Sequence, residues 1–272
     1  MVLVILYKKM RWLKNGDKMI NTGYLFSNDS DRLFINTSLG CSSNCVYCYL
    51  PTLNCSKGKP LSTYITAEEL IKQFEVYSVF KAGKDGTIIS FGCYSECWDE
   101  NNKIQTIKLI NYFLQKGNRI QFSTKRFVNY VDLVEISKNI QYYGQLVIFI
   151  SSATVRKWAT CEKGTTDPDQ RFRSFEVMEK LNIPVVLYIK PVLYNITIKD
   201  IDIYINIIKK YNIKDVVVGS VFSLNGTGEV APFVNDNSIH AQPIEQEKDI
   251  INSLSSVSKV YTKSLQVINN FK

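Results

Sequence analysis

Short apolar runs alternate with amphipathic stretches along most of the chain. Six such runs predict buried strands, at 33–38, 87–91, 119–123, 146–150, 184–189 and 214–219. The stretches between them carry apolar residues at helical spacing, as in Leu70, Ile71, Phe74 and Tyr77. Short apolar strands that alternate with amphipathic helices pair in parallel, through crossovers of one hand. The pattern therefore predicts an α/β protein whose six strand–helix units form a partial (β/α)6 barrel.

Capping residues predict where several helices begin. Thr66 and Glu69 have the spacing of a capping box. Asp167 before Pro168 is typical of a helix start, and Thr197 is the predicted cap of a later helix. The predicted helices are 67–80, 103–116, 128–138, one that begins at 167–168, and 198–211.

The ends of the chain depart from this alternation. Between 225 and 245 lie Gly226, Gly228, Pro232 and Pro243, which predict a long loop before a last helix. The segment up to Ser30 lacks the repeating pattern as well. We therefore expect an N-terminal extension at 1–30, a barrel core at 31–225, and a C-terminal loop and helix at 226–272.

Composition is compatible with one large domain and a charged partner. The 272 residues are 45% hydrophobic, enough to bury a sizeable core. The net charge of +8 favours an anionic partner such as a nucleotide or nucleic acid. No apolar run is long enough to span a membrane, and the opening residues lack the features of a secretory signal. We expect a soluble, cytoplasmic protein whose cysteines are reduced.

Three cysteines lie within eight residues directly after the first predicted strand. Cys41, Cys45 and Cys48 can bind three corners of an iron–sulfur cube and leave the fourth iron open to a ligand that is not protein. A zinc site normally needs four ligands, and the sole histidine, His240, is distant in sequence. Active sites of parallel barrels lie at the carboxyl ends of the strands, which is where this loop begins.

The spacing CxxxCxxC, with Tyr47 just before the last cysteine, resembles the signature of the radical S-adenosylmethionine (radical SAM) enzymes. The resemblance implies a partial barrel of the radical SAM type, with a [4Fe-4S] cluster on the three cysteines and S-adenosylmethionine on the fourth iron. It further implies reductive cleavage of that cofactor to a 5′-deoxyadenosyl radical, which abstracts hydrogen from a substrate. An external one-electron reductant such as flavodoxin or ferredoxin would supply the electron.

The same resemblance implies a set of cofactor contacts at the strand ends. Tyr47 and Val218 would lie near the adenine. Ser90 and Gly92, in a run that departs from the family's usual Gly-Gly-Glu, would meet the amino group. The predicted contacts to the ribose and carboxylate are Ser123, Lys125 and Ser151.

A narrower similarity covers the middle of the chain. The segments 150–154, 161–164, 167–171 and 183–186 resemble, in order, the equivalent stretch of the spore photoproduct lyase-like branch. That similarity implies that Arg171 and Glu162 bind the cofactor's carboxylate and ribose. The alternative for Arg171 is a solvated residue in the first turn of a helix.

Other polar residues and cysteines fall in predicted loops at the same end. Either Cys93 or Cys97 would be a thiol hydrogen donor by the lyase resemblance. Together with Cys55 and Cys161 they also equal the ligand count of an auxiliary cluster, although ordinary buried cysteines are the commoner case. The remaining candidates are Glu96 and Asp99 as an acid–base pair or polar loop residues, Lys190 as a cation at the barrel mouth, and His240 as a structural loop residue.

Three functions remain open on the sequence alone. The first is a radical SAM lyase or related enzyme that acts on a nucleotide or nucleic-acid base. The second is a radical SAM enzyme that modifies a small metabolite or peptide. The third is a non-catalytic protein that uses its iron–sulfur cluster as a redox sensor.

Overall fold

A computed structural model describes residues 25–26, 32–59, 64–75, 80–228 and 239–271. Most of the expected N-terminal extension, and Tyr77 of the first predicted helix, lie outside these residues. The strands are β1 (Leu25–Phe26), β2 (Arg32–Ile35), β3 (Asn44–Cys45), β4 (Ile88–Phe91), β5 (Ile120–Thr124), β6 (Leu146–Ser151), β7 (Glu162–Lys163), β8 (Val185–Ile189), β9 (Asp215–Val218), β10 (Val221–Ser223), β11 (His240–Gln242) and β12 (Lys259–Tyr261). The α-helices are α1 (Ala67–Glu75), α2 (Glu100–Gln115), α3 (Val134–Ser137), α4 (Trp158–Cys161), α5 (Pro168–Phe172), α6 (Glu176–Leu181), α7 (Ile201–Tyr211), α8 (Gln246–Ser255) and α9 (Ser264–Asn270).

Seven parallel strands form the central sheet, in the order β2-β4-β5-β6-β8-β9-β12, with β1 antiparallel at the β2 edge. The first six are the six predicted strands, so the α/β class and the partial barrel are confirmed. The seventh, β12, was not predicted, because a three-residue strand that begins with a lysine carries almost no apolar signal. It adds a strand to the expected C-terminal loop and helix.

The two faces of the sheet are buried by different elements. The outer face packs against the helices in the main core, which includes Ile89, Ile148 and Leu187. The inner face, with Val147 and Val217 among its residues, packs against Val267 and Ile268 of α9. The last helix therefore covers part of the barrel interior and leaves the rest of that face for a cavity.

Two capping predictions are confirmed. The Thr66 hydroxyl accepts a hydrogen bond from the Glu69 amide at 3.2 Å, and the Glu69 carboxylate accepts from the Thr66 amide at 3.0 Å. The Asp167 carboxylate accepts from the Asp169 amide at 2.8 Å as the cap of α5. Both signals are local in sequence, which is why they could be recognised without the fold.

Two other helix predictions need correction. The stretch at 128–138 is a short 3-10 helix, Tyr130–Leu133, followed by the single turn of α3. Thr197 does not cap α7, because a 3-10 helix, Thr197–Asp200, precedes that helix. Its hydroxyl instead donates to the Ala153 carbonyl at 2.7 Å, so the residue ties two strand-end loops together.

The long loop expected at 225–245 lies partly outside the described residues. Its described part contains the strand β11, which forms an antiparallel hairpin with the preceding β10, where Ser223 pairs with His240. The His240 ring lies 3.2 Å from the Gly228 carbonyl, in keeping with a structural residue. Among the helices of the described ranges, none has the length and apolar character needed to cross a bilayer.

Candidate active site

The cysteine loop is held by backbone hydrogen bonds on both sides. The Cys41 amide donates to the Ser56 carbonyl at 2.9 Å. On the other side, Cys45 pairs with Glu162 in the small antiparallel sheet of β3 and β7, and the Val46 amide donates to the Cys161 carbonyl at 3.0 Å. This sheet joins segments more than 100 residues apart in sequence, so no local pattern could predict it. The loop is thus a fixed part of the fold.

All three thiols of the loop line one cavity of about 770 Å³. Burial raises the pKa of the Cys41 thiol to about 12, with a further contribution from Glu96, and burial also raises the pKa values of Cys45 and Cys48. In the described part of the chain, no three His, Cys, Asp or Glu side chains converge as a single metal ion would require. An iron–sulfur cube does not need its ligands to converge on one point, because each thiolate binds its own iron. The donor set therefore fits an iron–sulfur cluster better than zinc.

The same cavity collects most of the residues that the sequence singled out. They come from the cysteine loop and from the carboxyl ends of β4, β5 and β6. The cavity lining includes Tyr47, Ser90, Gly92, Cys93, Ser123, Lys125 and Ser151. Lys190 also lines it, with its Nζ 4.8 Å from the ring centroid of Phe222.

Lys125 connects the cavity to a buried carboxylate behind it. Its Nζ donates to the Ser151 hydroxyl and lies 3.6 Å from Glu162 Oε1. The same ammonium is 5.6 Å from the ring centroid of Tyr47, whose hydroxyl donates to Glu162. The cavity wall thus presents a cation and an aromatic ring, both oriented by one carboxylate.

The prediction that Arg171 contacts the cofactor is wrong, and so is the alternative of a solvated helix residue. The side chain is fully buried, and its five N–H donors are all used inside the protein. The acceptors are Glu162 Oε2 at 2.7 Å, the Ser151 carbonyl at 2.8 Å, Thr165 Oγ1 at 2.6 Å, and the Thr166 carbonyl at 2.7 and 3.0 Å. Arg171 instead neutralises Glu162, which needs an opposite charge because it is itself fully buried.

The environment of Glu162 keeps it ionised. Burial raises the pKa of this carboxyl, but the nearby Lys125 and Arg171 and the hydrogen bond from Tyr47 outweigh burial, so the net shift is downward. The Ala153 amide donates a further hydrogen bond at 3.0 Å. Glu162 does not line the cavity, so its predicted contact with the cofactor is replaced by a positioning role.

Two further predicted site residues lie away from the main cavity. Cys97 is 2% exposed and packs behind Gly92, with its Sγ 3.8 Å from the Ser123 carbonyl. It cannot present a thiol to the cavity, because Gly92 lies between them. Val218 lines an adjoining recess of about 170 Å³ that shares Lys190 and Phe222 with the main cavity, and its contact with an adenine stays a prediction.

The four other cysteines do not form a second ligand set. Cys55 and Cys93 pack in an apolar cluster around Phe34 and Leu50. Cys161 packs in a separate cluster with Ala153 and Leu193, and Cys97 belongs to the main core. All seven cysteines are free thiols. Their dispersal argues against an auxiliary cluster.

Glu96 lines the cavity, and both Glu96 and Asp99 are engaged in hydrogen bonds that support the site, as expected of polar loop residues. The Glu96 carboxylate accepts hydrogen bonds from Thr124 Oγ1 at 2.5 Å and from the Lys125 amide at 3.0 Å. Asp99 caps α2, accepts from Ser42 Oγ at 2.5 Å, and lies 3.2 Å from an Arg126 nitrogen. Each carboxylate therefore joins a strand-end loop to a neighbouring segment.

Several lining residues were missed by the sequence analysis. They are Arg32, Gln121, Phe149, Tyr188 and Lys263. For Gln121 a signal was present, because Gln121 and Ser123 alternate with the apolar Ile120 and Phe122 and must share one face of β5. Lys263 follows the unpredicted strand β12 and carried no signal of its own.

Solved structures of similar fold include several of spore photoproduct lyase. A tyrosine-to-phenylalanine mutant of that enzyme is 14% identical, and the match covers 94% of this chain and 88% of that one with a TM-score of 0.66. A spore photoproduct lyase complexed with dinucleoside spore photoproduct is 14% identical and covers 84% of this chain and 75% of its own, with a TM-score of 0.60. Streptococcus suis SuiB bound to S-adenosylmethionine is 11% identical, and the match covers 86% of this chain and 51% of that one with a TM-score of 0.57. At these identities the likeness establishes a shared fold.

At the level of sequence, no curated protein matches the chain. The family model described as the radical SAM superfamily matches residues 35–221, which include the cysteine loop and the strands β4 to β9. Because this match spans more than half of the 272 residues, the chain belongs to the radical SAM superfamily, whose enzymes bind a [4Fe-4S] cluster and S-adenosylmethionine.

Proposed function

We propose that Cys41, Cys45 and Cys48 hold the [4Fe-4S] cluster and that the adjoining cavity binds S-adenosylmethionine together with a nucleotide or nucleic-acid base as substrate. One observation carries the proposal: the three thiols line a single cavity at the carboxyl ends of parallel strands. When bound and reduced, the cluster would supply the electron for reductive cleavage of S-adenosylmethionine, and this cleavage would provide a radical able to remove hydrogen from a substrate C–H bond.

The chain's own residues bind and orient the cofactor in this proposal. Lys125 offers a cation for the carboxylate, and the Ser123 and Ser151 hydroxyls lie in the same part of the lining. Tyr47 offers a ring face whose orientation is set by its hydrogen bond to Glu162. Gly92 has a φ of +82° and lines the cavity with backbone alone, which allows close approach of an amino group.

Cys93 is the proposed thiol hydrogen donor to a product radical. It lines the cavity, whereas Cys97 lies behind Gly92. Burial raises the pKa of the Cys93 thiol to about 12, so the group keeps its hydrogen at neutral pH. The Tyr49 hydroxyl donates to the Cys93 carbonyl at 2.7 Å and fixes this part of the loop.

A nucleotide substrate is supported by the charge of the protein and of the cavity. The chain carries +8, and Arg32, Lys190 and Lys263 line the cavity in addition to Lys125. Aromatic rings, among them Tyr188, supply flat surfaces beside these cations. In a spore photoproduct lyase of similar fold, the complex is with a dinucleoside. These features favour lyase-like chemistry on a base over modification of a small metabolite or peptide.

The proposed chemistry also needs a source of electrons and a reducing environment. An external one-electron reductant such as flavodoxin or ferredoxin would reduce the cluster. The seven free thiols suit a cytoplasmic location, where cysteines remain reduced.

Anaerobic reconstitution with iron and sulfide, followed by reduction, tests the proposal. We expect about four irons per chain, the visible absorption of a cube, and formation of 5′-deoxyadenosine above a cofactor-only blank. Cys41→Ala, Cys45→Ala and Cys48→Ala should each abolish both the absorption and the product.

Cys161→Ala is the matched control, because Cys161 does not line the cavity and its replacement should leave the iron content unchanged. A variant of the three loop cysteines that keeps full cleavage would remove that residue from the ligand set. A cube that forms in the wild-type protein without any 5′-deoxyadenosine would indicate a redox sensor instead of an enzyme.

A further inference from the structure

The inner wall of the cavity contains an amide with an unused acceptor. Gln121 on β5 is 5% exposed, and its Nε2 donates to the Ser90 hydroxyl on β4 at 2.7 Å. Its Oε1 is buried without a hydrogen-bond partner. An amide oxygen buried in this way costs free energy, so the unused acceptor points to a ligand. Both side chains line the cavity, which is where such a ligand would lie.

Ser90 supplies a donor directly beside this acceptor. The two residues are paired in the parallel register of β4 and β5, so their side chains are neighbours on the inner face. The Ser90 oxygen accepts from Gln121, and within the described residues its own proton has no acceptor. The pair therefore holds one unused acceptor and one donor side by side in the cavity wall.

This arrangement is complementary to an amide edge in a ring. A lactam places an N–H donor next to a carbonyl acceptor, which matches Gln121 Oε1 and the Ser90 hydroxyl respectively. Rotating the carboxamide by 180° exchanges its donor and acceptor but still leaves one of each beside the other. The complementarity to a donor–acceptor edge therefore does not depend on which way the amide lies.

The surroundings favour a flat ligand below the cofactor contacts. Phe149 and Tyr188 line the same cavity, with ring centroids 5.4 Å apart in an edge-to-face arrangement. Gln121 lies two residues before Ser123 on β5, which is about 6–7 Å deeper along the strand. Phe149 is in register with Ser123 and Tyr188 with Ser151, so a ring whose edge meets Gln121 would lie below the aromatic side chains and below the predicted cofactor contacts.

We propose that Gln121 and Ser90 recognise the lactam edge of a nucleobase such as thymine or uracil in the substrate. The assignment rests on the proposed function, because it presupposes a nucleotide substrate. It moves Ser90 from the predicted cofactor contacts to the substrate side. Gln121 becomes a specificity-determining residue, since a base without the N–H would leave its acceptor unpaired.

Calorimetric titration of the reconstituted, S-adenosylmethionine-loaded protein with the dinucleotide TpT tests the assignment. We expect TpT to bind about tenfold more tightly than its N3-methylated counterpart, which lacks the N–H donors, a factor that equals 1.4 kcal/mol. Gln121→Leu should weaken TpT binding about tenfold and abolish the discrimination against the methylated probe. Gln170→Leu, an exposed glutamine on α5, should change neither.

Ser90→Ala serves as a second variant that removes only a hydroxyl. It should weaken the binding of TpT and should not improve the binding of the methylated probe. Equal binding of the two probes by the wild-type protein, or no measurable binding of TpT, would overturn the assignment. Formation of 5′-deoxyadenosine in the absence of TpT reports the proposed function separately. A protein that makes 5′-deoxyadenosine but does not discriminate between the probes would refute this inference alone.

Discussion

The buried ion pair of Glu162 and Arg171 should be one of the most sensitive points of the fold. Both side chains are 0% exposed, and their charged atoms are 2.7 Å apart. Replacement Glu162→Gln keeps the size of the side chain but removes its charge. Arg171 would then be left as an uncompensated cation in the interior, and Lys125 would lose the anion that lies 3.6 Å from it.

The expected cost is about 3–5 kcal/mol, which is typical when one partner of a buried pair is removed. A domain of ordinary stability unfolds with about 5–15 kcal/mol, so the variant should lose a large share of its stability. The double variant Glu162→Gln with Arg171→Met should lose less than the sum of the two single losses, because neither charge then remains unpaired. The Tyr47 hydroxyl loses its charged acceptor in the Glu162→Gln variant and in the double variant alike.

Urea denaturation of the metal-free chain, followed by circular dichroism, measures these losses directly. Glu135→Gln is the control, because Glu135 forms an exposed pair with Lys138 at 2.6 Å and its removal should leave the midpoint unchanged. A loss below about 1 kcal/mol for Glu162→Gln, or strict additivity in the double variant, would refute the reasoning that the charges compensate each other.

Three more predictions concern pH, backbone conformation and capping. Because the folded-state pKa of Glu162 is lowered, its contribution to the free energy of unfolding is fully present above the ordinary pKa of 4.5 and is lost as pH falls through the lower folded-state pKa. The urea midpoints of the wild-type protein should therefore converge with those of Glu162→Gln as the pH is lowered. Gly92→Ala should cost about 1–3 kcal/mol in thermal unfolding, because φ is +82° and the new Cβ would lie 3.0 Å from Cys97 Sγ. Gly83→Ala should cost less, since it shares a positive φ of +99° but has no atom within 4 Å of the new Cβ; equal losses would show that the contact with Cys97 does not matter. Thr66→Ala should cost about 1 kcal/mol by removing the cap of α1, and an unchanged urea midpoint would contradict that role.

The sheet and the cysteine loop could be predicted because their signals are local. All residues of β4 and β6 are buried, so these strands appear in the sequence as nearly continuous apolar runs, interrupted only by Ser90 and ended by Ser151. The spacing of the three cysteines indicates iron–sulfur cluster binding, and Asp167 followed by Pro168 predicts a helix start. In each case, residues a few positions apart carry the whole pattern.

The roles of individual polar residues could not be predicted in the same way. An arginine in a short helix, such as Arg171, is expected to be exposed to solvent. Only the fold shows that it pairs with a buried carboxylate. The sequence places Gln121 on the same face of β5 as Ser123, but only the pairing of β4 with β5 shows that Ser90 lies beside it. Cys93 and Cys97 are equivalent in sequence terms, but the turn at Gly92 puts one in the cavity and the other behind it.

The sequence by itself thus determined the class of fold, the order of six strands and the ligands proposed for the cluster. The tertiary structure decided which side chains share the cavity and which form buried ion pairs. It also showed that β12 extends the sheet. The physical reason is the distance over which each interaction acts along the chain. Backbone periodicity and ligand spacing act between near neighbours, whereas the hydrogen bond from Tyr47 to Glu162 joins residues 115 positions apart and exists only when the sheet has formed.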